Sequence, residues 1–305
     1  MKRFLITITI LLAFLNIQAQ EPQTFTYATK DGQDLKLDLY TPNDVDSNTF
    51  CVVYVFGGGF ISGQRDGKFE KEYCSRLVDN GFMVVTIDYR LGLVGVKDLG
   101  LINHQPLENA IYMATEDAIS ALDYLIQHSK DLNINTDRIV MVGSSAGAIT
   151  VLQTDYSICN GLLNSHILPG NFHIAGVVSY AGAIYSTNGK VKYTQHQPAP
   201  TMFFHGTADK LVNYKQLKLF RTGFFGSSKI VPRFEKFGYP YYFRRYTDYG
   251  HSVAMMGPWS VEELVWFCKH YINEDAQWQV EETLTNMEAP TTITWDRMTP
   301  GELYK

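Results

Sequence analysis

The segment Gly143–Gly147, which reads Gly-Ser-Ser-Ala-Gly, is the part of the sequence best suited to chemistry. It directly follows a β-favouring run at Arg138–Val142 and directly precedes an apolar helical run. In the pattern G-x-S-x-G, small flanking residues let a strand turn sharply into a helix. That turn lifts the serine hydroxyl clear of the sheet, at the positive end of the helix. The sequence therefore predicts Ser145 as a nucleophile.

Three consecutive glycines, Gly57–Gly59, follow a second β-favouring run that ends at Phe56. Attack by a serine creates an oxyanion, and each N–H donor lost from an oxyanion hole can cost about 10²–10³ in rate. Glycines can turn their N–H groups inward because they carry no Cβ. We expect the donors to be the N–H groups of Gly58, Gly59 and Ala146. A phosphate-binding loop is disfavoured, since neither G-x-x-x-x-G-K-[ST] nor G-x-G-x-x-G occurs.

A nucleophilic serine needs a base, and the base needs a carboxylate that fixes its tautomer. We expect His251 to be the base, because it lies in a loop after a late strand with a glycine before it. We expect Asp209 to be the carboxylate, because its loop follows the preceding strand. Asp248, three residues from His251, is the competing carboxylate. His205 ends a strand and is expected to hold a loop by hydrogen bonds.

Strand and helix patterns alternate along most of the chain. The opening segment, Phe25–Tyr40, alternates apolar and polar residues next to an Asp31-Gly32 turn, as half-buried antiparallel strands do. Later runs are continuously apolar, which is typical of strands buried on both faces. The predicted strands with such runs are Phe50–Phe56, Met83–Ile87 and Arg138–Val142, and the later predicted strands are Ala175–Tyr180, Thr201–His205 and Tyr241–Tyr246. The predicted helices are Phe69–Asn80, Glu108–Ser129, Tyr214–Arg221, Lys229–Phe237 and Val261–Tyr271. This pattern predicts an α/β class: a mostly parallel central sheet with helices on both faces and antiparallel strands at its N-terminal end.

The composition suits one large domain, with 305 residues, 45% of them hydrophobic, and a net charge of −5. The acidic balance and the lack of Lys/Arg blocks argue against a nucleic-acid partner. The first 19 residues read as an export signal: two basic residues, an apolar run over 4–15 and a small-residue cleavage site ending at Ala19. We therefore expect a periplasmic or secreted protein without a stable membrane anchor. The predicted organisation is a signal peptide over 1–19, a domain over 20–272 and a C-terminal extension over 273–305 that is packed on the domain or partly flexible.

The cysteines do not form a pattern that indicates a metal site. Cys51, Cys74, Cys159 and Cys268 allow three disulfide pairings, and the sequence does not choose among them. Neither a CxxC motif nor a Cys/His cluster is present. The predicted chemistry requires no metal or organic cofactor, and the sequence leaves the oligomeric state open.

These motifs resemble those of the α/β-hydrolase superfamily, in its esterase/lipase branch with a glycine-rich oxyanion loop. Bacterial carboxylesterases that remove acetyl or feruloyl groups from plant polysaccharides are similar. The resemblance covers about 52–271, and in this fold the triad follows the chain order Ser, Asp, His. The matching segments are Gly57–Phe60, Asp88–Leu91, Gly143–Gly147, His205–Asp209 and Gly250–Ser252. The resemblance implies an α/β-hydrolase fold with nucleophile Ser145, acid Asp209, base His251 and oxyanion donors at Gly58, Gly59 and Ala146.

One position departs from the family pattern, because the family loop usually opens with histidine where this chain has Phe56. That histidine mainly organises the loop, so activity should survive. We expect Asp88 and Arg90 of the Asp88–Leu91 segment to tie loops together beside the site.

The sequence therefore predicts a serine hydrolase that cleaves carboxylic esters in two steps, on small acetyl- or feruloyl-type esters attached to carbohydrate. One alternative is a peptidase or amidase of the same fold, and another is a catalytically inactive hydrolase fold used for binding. The acyl and alcohol groups depend on pocket walls, which we expect from the loops Leu91–Pro106, Thr154–Phe172 and Ser186–Ala199. Tyr185, Tyr193 and Trp259 are candidates for a carbohydrate-binding cleft, although core or surface packing explains each equally well.

Overall fold

The computed structural model describes residues 21–97, 103–285 and 296–303. The predicted signal peptide over 1–19 lies outside these residues. Within them the strands are β1 Gln23–Lys30, β2 Gln33–Tyr40, β3 Cys51–Val55, β4 Met83–Ile87, β5 Ile139–Ser144, β6 Gly176–Tyr180, β7 Ala183–Ser186, β8 Thr201–Gly206, β9 Gln216–Leu219, β10 Thr222–Gly226, β11 Tyr241–Tyr246 and β12 Gln279–Leu284. The helices are α1 Lys68–Asp79, α2 Gln105–Gln127, α3 Ala146–Ile158, α4 Ser227–Phe237, α5 Val261–Phe267 and the short α6 Pro300–Leu303.

Nine of these strands form one sheet in the order β1-β2-β4-β3-β5-β6-β8-β11-β12. β2 pairs antiparallel with both β1 and β4, and every other pair in this sheet is parallel. The mostly parallel sheet with antiparallel N-terminal strands is confirmed.

The centre of the sheet is covered on both faces. Every residue of β3, β4, β5, β6 and β8 is buried. Because successive side chains of a strand point to opposite faces, complete burial requires packed elements on each side. This burial explains why these strands read as continuous apolar runs in the sequence.

The predicted helix at Tyr214–Arg221 is wrong. The chain there forms a hairpin of β9 and β10 that turns at Phe220, whose φ is 52°. β10 also pairs antiparallel with β7, so the three strands make a second, small sheet in the order β7-β10-β9. The residues of β9, Gln-Leu-Lys-Leu, alternate polar and apolar with the period of a strand, and pairing with β10 satisfies their backbone groups.

The segment from 273 onward, expected as an extension, contributes to the fold itself. β12 adds to the edge of the large sheet by pairing parallel with β11 along six residues, so the sheet continues beyond the predicted domain boundary at 272. Residues 296–303 return to the carboxyl ends of the strands, where they contact the loop at Gly250–Ser252.

Two further features concern membranes and redox chemistry. No helix among residues 21–97, 103–285 and 296–303 has both the length and the apolar character needed to cross a bilayer. All four cysteines are buried and none is bonded to another.

Candidate active site

Ser145 lies between β5, which ends at Ser144, and α3, which begins at Ala146. Its backbone has φ 52° and ψ −116°, a region that non-glycine residues rarely occupy. The turn is tight enough that a Cβ on Gly143 would collide with the backbone of Gly147. A Cβ on Gly147 would in turn collide with the carbonyl oxygen of Val55. The flanking glycines are therefore required by close packing, and the serine is held in a strained conformation that exposes its hydroxyl to the pocket.

Ser145, His251 and Asp209 form a continuous row of hydrogen bonds. The Oγ of Ser145 lies 2.7 Å from Nε2 of His251, and Nδ1 of His251 lies 2.7 Å from Oδ2 of Asp209. Only 2% of His251 and 4% of Asp209 are exposed, so bulk water does not compete for these bonds. The structure thus brings together three residues that the sequence places more than 40 positions apart.

Asp209 is held in its ionised form by its surroundings. Burial alone would raise its pKa, but the nearby His251 and hydrogen bonds from His205 and His251 outweigh burial and lower the pKa to about 2. The other carboxylate oxygen, Oδ1, accepts the backbone N–H groups of Leu211 and Val212 at 2.9 and 3.1 Å. A carboxylate fixed in this way can orient an imidazole and stabilise its positive charge.

The two alternatives left open by the sequence occupy different positions. Asp248 is exposed, and it is Asp209 whose carboxylate meets the imidazole of His251. His205 is fully buried; its Nδ1 lies 2.8 Å from Oγ of Ser227 and its Nε2 lies 3.0 Å from the carbonyl of Val212. The same Nε2 lies 3.3 Å from Oδ2 of Asp209, so His205 supports the carboxylate as well as the loop.

The glycine loop runs directly against the serine. A Cβ on Gly57 would stand 3.0 Å from the carbonyl oxygen of Ser144 and 3.2 Å from Cβ of Ser145. Gly58 and Gly59 have φ of 119° and 63°, in the left-handed region that favours glycine. Both line the same pocket as Ser145 and Ala146. The glycine loop therefore lies directly beside Ser145 in the pocket.

Phe56, which replaces the family's usual histidine, organises the loop through packing. Its ring is 2% exposed and stacks on Tyr89 with centroids 4.4 Å apart, and the hydroxyl of Tyr89 donates to the carbonyl of Phe56 at 3.0 Å. Next to Tyr89 in the chain, Arg90 makes a bidentate pair with the fully buried Asp117 and reaches Asp31. Asp88 accepts from the guanidinium of Arg65. The Asp88–Leu91 segment thus joins loops beside the site.

Comparisons with known proteins agree with this geometry. The family model described as BD-FAE matches residues 37–185, just under half of the chain, which include the glycine loop and Ser145. An esterase from Thermogutta terrifontis superposes with a TM-score of 0.59 at 19% identity, over 83% of this chain and 93% of that one. Other structures of that esterase contain propionate or butyrate. The chain has the α/β-hydrolase fold.

Curated relatives match parts of this chain. Carboxylesterase 1C of Rattus norvegicus is 28% identical over 163 residues, which are 53% of this chain and 26% of the rat protein. Ethyl acetate hydrolase of Pseudomonas putida is 27% identical over 136 residues, which are 43% of this chain and 38% of the bacterial protein. The chain therefore spans well under half the length of these relatives in each alignment.

The pocket above Ser145 has a volume of about 950 Å³. Its floor is formed by Ser145, His251 and the glycine loop, and Asp209 lies behind His251. Its walls are mainly apolar and come from α1, the start of α2, β7, the β9–β10 hairpin and residues 298–303. Among the wall residues are Phe69, Leu107, Tyr185, Leu217, Phe224 and Leu303.

The walls differ from those expected from the sequence. The loop at Leu91–Pro106 contributes Asn103 and His104, whereas 154–172 and 186–199 contribute nothing to the lining. Tyr185 lines the pocket, but Tyr193 packs among other aromatic rings and Trp259 is 59% exposed away from it. The β9–β10 hairpin and residues 298–303 were missed. Alternation in β9 could have revealed the hairpin, whereas residues 298–303 show no periodic pattern.

No group of three or more His, Cys, Asp or Glu side chains in residues 21–97, 103–285 and 296–303 is arranged to hold a metal ion. The chemistry that this arrangement can perform is nucleophilic attack by the Ser145 hydroxyl, with His251 taking its proton.

Proposed function

We propose that this chain is a serine hydrolase that cleaves carboxylic esters by way of an acyl-enzyme. The observation that supports it most directly is the row Ser145–His251–Asp209, with 2.7 Å at each bond, beside a glycine loop. The names of the relatives, a carboxylesterase and an ethyl acetate hydrolase, point to the same bond type.

In the first step, Nε2 of His251 accepts the proton of Ser145 Oγ as the oxygen attacks the ester carbonyl. The imidazolium that forms is stabilised by the ionised carboxylate of Asp209, which already accepts from Nδ1. His251 then returns the proton to the departing alcohol. The acyl group remains bonded to Ser145.

The negative charge on the carbonyl oxygen needs N–H donors placed before the reaction begins. We assign this role to the backbone N–H groups of Gly58, Gly59 and Ala146, which belong to segments that line the pocket next to Ser145. Ala146 also begins α3, so its N–H belongs to the positive end of a helix.

In the second step, water enters as the nucleophile and His251 acts again as base. The acyl-enzyme passes through a second oxyanion, collapses and releases the acid, and the proton returns to Ser145. All groups needed for both steps lie in the described part of the chain.

For the substrate, we infer a small acyl ester of the acetyl or feruloyl type carried on carbohydrate. The partly exposed aromatic side chains of Phe69 and Phe224 line the pocket and can offer faces on which a flat acyl group or a sugar ring stacks. The propionate- and butyrate-bound forms of the Thermogutta esterase are consistent with short acyl groups. Export to the periplasm or beyond, predicted from residues 1–19, fits a polysaccharide substrate.

The test of the mechanism is Ser145→Ala, measured on a nitrophenyl ester. Because the nucleophile is lost, turnover should fall by about 10⁴-fold or more. A fluorophosphonate should label the native protein and fail to label the variant. A variant that keeps near-normal turnover would refute the proposed function.

The test of the substrate is a panel of acetylated xylooligosaccharides, methyl ferulate and nitrophenyl esters of increasing chain length. We expect the highest kcat/KM on the acetylated oligosaccharides or on methyl ferulate. Faster turnover of an aminoacyl amide than of any ester would favour a peptidase instead.

A further inference from the structure

Residues 296–303 lie against the active site although they come more than 40 positions after His251 in the chain. We call this segment the C-terminal clasp. One end of the clasp contacts the loop Gly250–Ser252, which carries His251 and which we call the histidine loop. The other end lines the substrate pocket. Neither contact was expected from the sequence.

At its first residue, the clasp binds three consecutive backbone N–H groups of the histidine loop. The carboxylate of Asp296 accepts from the N–H of Ser252 at 2.8 Å and from the N–H of Gly250 at 3.3 Å. The backbone carbonyl of Asp296 accepts from the N–H of His251 at 2.7 Å. Arg297 adds a bond from its guanidinium to the carbonyl of Asp248 at 2.8 Å.

These bonds satisfy groups that the loop cannot satisfy itself. His251 begins a 3₁₀ turn, and the first N–H groups of such a turn have no partner within it. The residue before it, Gly250, has no side chain with which to cap the turn. A Cβ on Gly250 would collide with the carbonyl oxygen of Asp296, so the glycine is what allows the clasp to approach. Asp296 therefore acts as the cap of this turn, from a distant part of the chain.

The rest of the clasp is a compact wall. The N–H and hydroxyl of Thr299 both donate to the carboxylate of Glu302 at 2.7 Å, which closes the turn of α6. Met298, Pro300 and Leu303 line the pocket together with residues of the β9–β10 hairpin and α1. The bonds that hold the histidine loop and the surface that meets the substrate thus belong to one segment of eight residues.

We propose that the C-terminal clasp is a working part of the active site, in which Asp296 positions His251 and residues 298–303 form a wall of the substrate pocket. The inference rests on the proposed function, because it concerns how the base of that reaction is held. Asp296 is a positioning residue: it contacts the backbone of the histidine loop and acts on the reaction only through His251.

The test is Asp296→Ala, assayed as kcat and KM on a nitrophenyl acetate, per active site counted by fluorophosphonate titration. Loss of two of the bonds frees the loop, and a displacement of about 1 Å at a catalytic group can cost about 100-fold. We expect kcat to fall about 10- to 100-fold while KM changes little, because the base acts in the transition state. Asp296→Asn, whose amide oxygen can still accept from the N–H of Ser252, should recover much of the loss.

The matched control is Asp46→Ala. Asp46 also accepts a backbone N–H, that of Asn48 at 2.8 Å, but it lies in the exposed loop before β3, at the amino end of that strand, whereas the glycine loop of the active site follows its carboxyl end. We expect kcat and KM of this variant to equal those of the native protein. For the wall, Leu303→Ala should raise KM for methyl ferulate, because it removes part of the surface that meets the substrate, and an unchanged KM would contradict the wall.

The outcomes separate this inference from the function on which it rests. If Ser145→Ala is inactive but Asp296→Ala has native kcat, the positioning role is wrong and the esterase assignment stands. If Asp296→Ala and Asp46→Ala lose kcat equally, the effect is one of general stability and the inference is also wrong. If Ser145→Ala keeps its activity, the proposed function itself fails.

Discussion

The floor of the pocket consists of loops that follow strands of the large sheet, whereas the β9–β10 hairpin, with its exposed strand β9, lies at its rim. Ser145, Asp209 and His251 follow β5, β8 and β11, and the first two of these strands are buried along their whole length. The rim includes β9, whose four residues are all exposed, and the hairpin tip at Phe220, which is 88% exposed. The reacting atoms are thus fixed by close packing, and the surfaces that meet the substrate are lightly packed.

This difference implies a division of function between the two regions. On the floor, glycines at 143 and 147 leave no room for an added carbon and the glycine at 57 leaves little, so small displacements reach the catalytic atoms. On the rim, exposed side chains can change with little cost, since surface substitutions usually alter stability by less than about 0.5 kcal/mol. Changes on the floor should therefore abolish chemistry, and changes on the rim should alter the choice of ester.

The largest expected effect on the floor beyond the nucleophile is that of Asp209→Asn. An asparagine amide would donate to Nδ1 of His251, which forces the proton to Nε2 and leaves no acceptor for Ser145. We expect kcat on a nitrophenyl ester to fall by about 10⁴-fold, with the fold intact by circular dichroism.

Asp248→Asn is the control for this substitution, because Asp248 is the other carboxylate near His251 in the sequence. It is exposed and has φ 63°, a conformation that asparagine accepts as readily as aspartate. Its kcat should stay within about twofold of native, since the carboxylate bonded to Nδ1 of His251 is that of Asp209. A larger loss in Asp248→Asn than in Asp209→Asn would reverse the assignment.

A second test concerns α3, the helix that begins directly after Ser145, through the carboxyl group of Asp155. This carboxyl is buried, and burial raises its pKa to about 7, although hydrogen bonds from the N–H of Ala199 and the thiol of Cys159 oppose the shift. In the unfolded chain its pKa is about 3.9, so between pH 4 and 7 the folded protein binds more protons. Stability should therefore fall as pH rises through that range.

Asp155→Asn removes the charge but keeps an oxygen that can accept both bonds. At pH 8 we expect the variant to be more stable than the native protein by on the order of 2–4 kcal/mol, and at pH 4.5 to be nearly equal to it. Denaturant unfolding at the two pH values measures this. Asp137→Asn, at an exposed carboxylate before β5, should show no pH-dependent difference from native. An equal gap at both pH values for Asp155→Asn would contradict the buried, protonated state.

The floor could be predicted from the sequence because its signals are local. Ser145 and the Gly57–Gly59 loop lie within short motifs that directly follow strands. The glycines in these motifs indicate the tight turns that the backbone makes there. Choosing Asp209 over Asp248 needed one more fact, the order of the late strands, and the alternation of strands and helices supplied it. The continuous apolar runs predicted the central strands because burial on both faces demands them.

The rim could not be predicted in the same way, for physical reasons. Leu217 and Leu219 line the pocket and are exposed, so burial in the core does not mark them in the sequence. A helix is predicted there, although the apolar residues alternate with the period of a strand. Asp296 accepts hydrogen bonds from backbone N–H groups, which every residue except proline carries. No particular residue type therefore marks its partners in the sequence. Contacts of this kind become visible only when distant segments are placed side by side.

The smallest expected effect is on the rim, at Leu217 and Leu219. Both side chains line the pocket and are 39% exposed, so truncation removes substrate contact and little core packing. We expect Leu217→Ala and Leu219→Ala to raise KM for methyl ferulate about 2- to 10-fold, with kcat on nitrophenyl acetate and the melting temperature unchanged. Phe220→Ala is the matched control, because this ring lies at the tip of the same hairpin and is not part of the lining. If Phe220→Ala raised KM as much as the two leucine variants, the hairpin would act through its overall stability and not through contact with the ester.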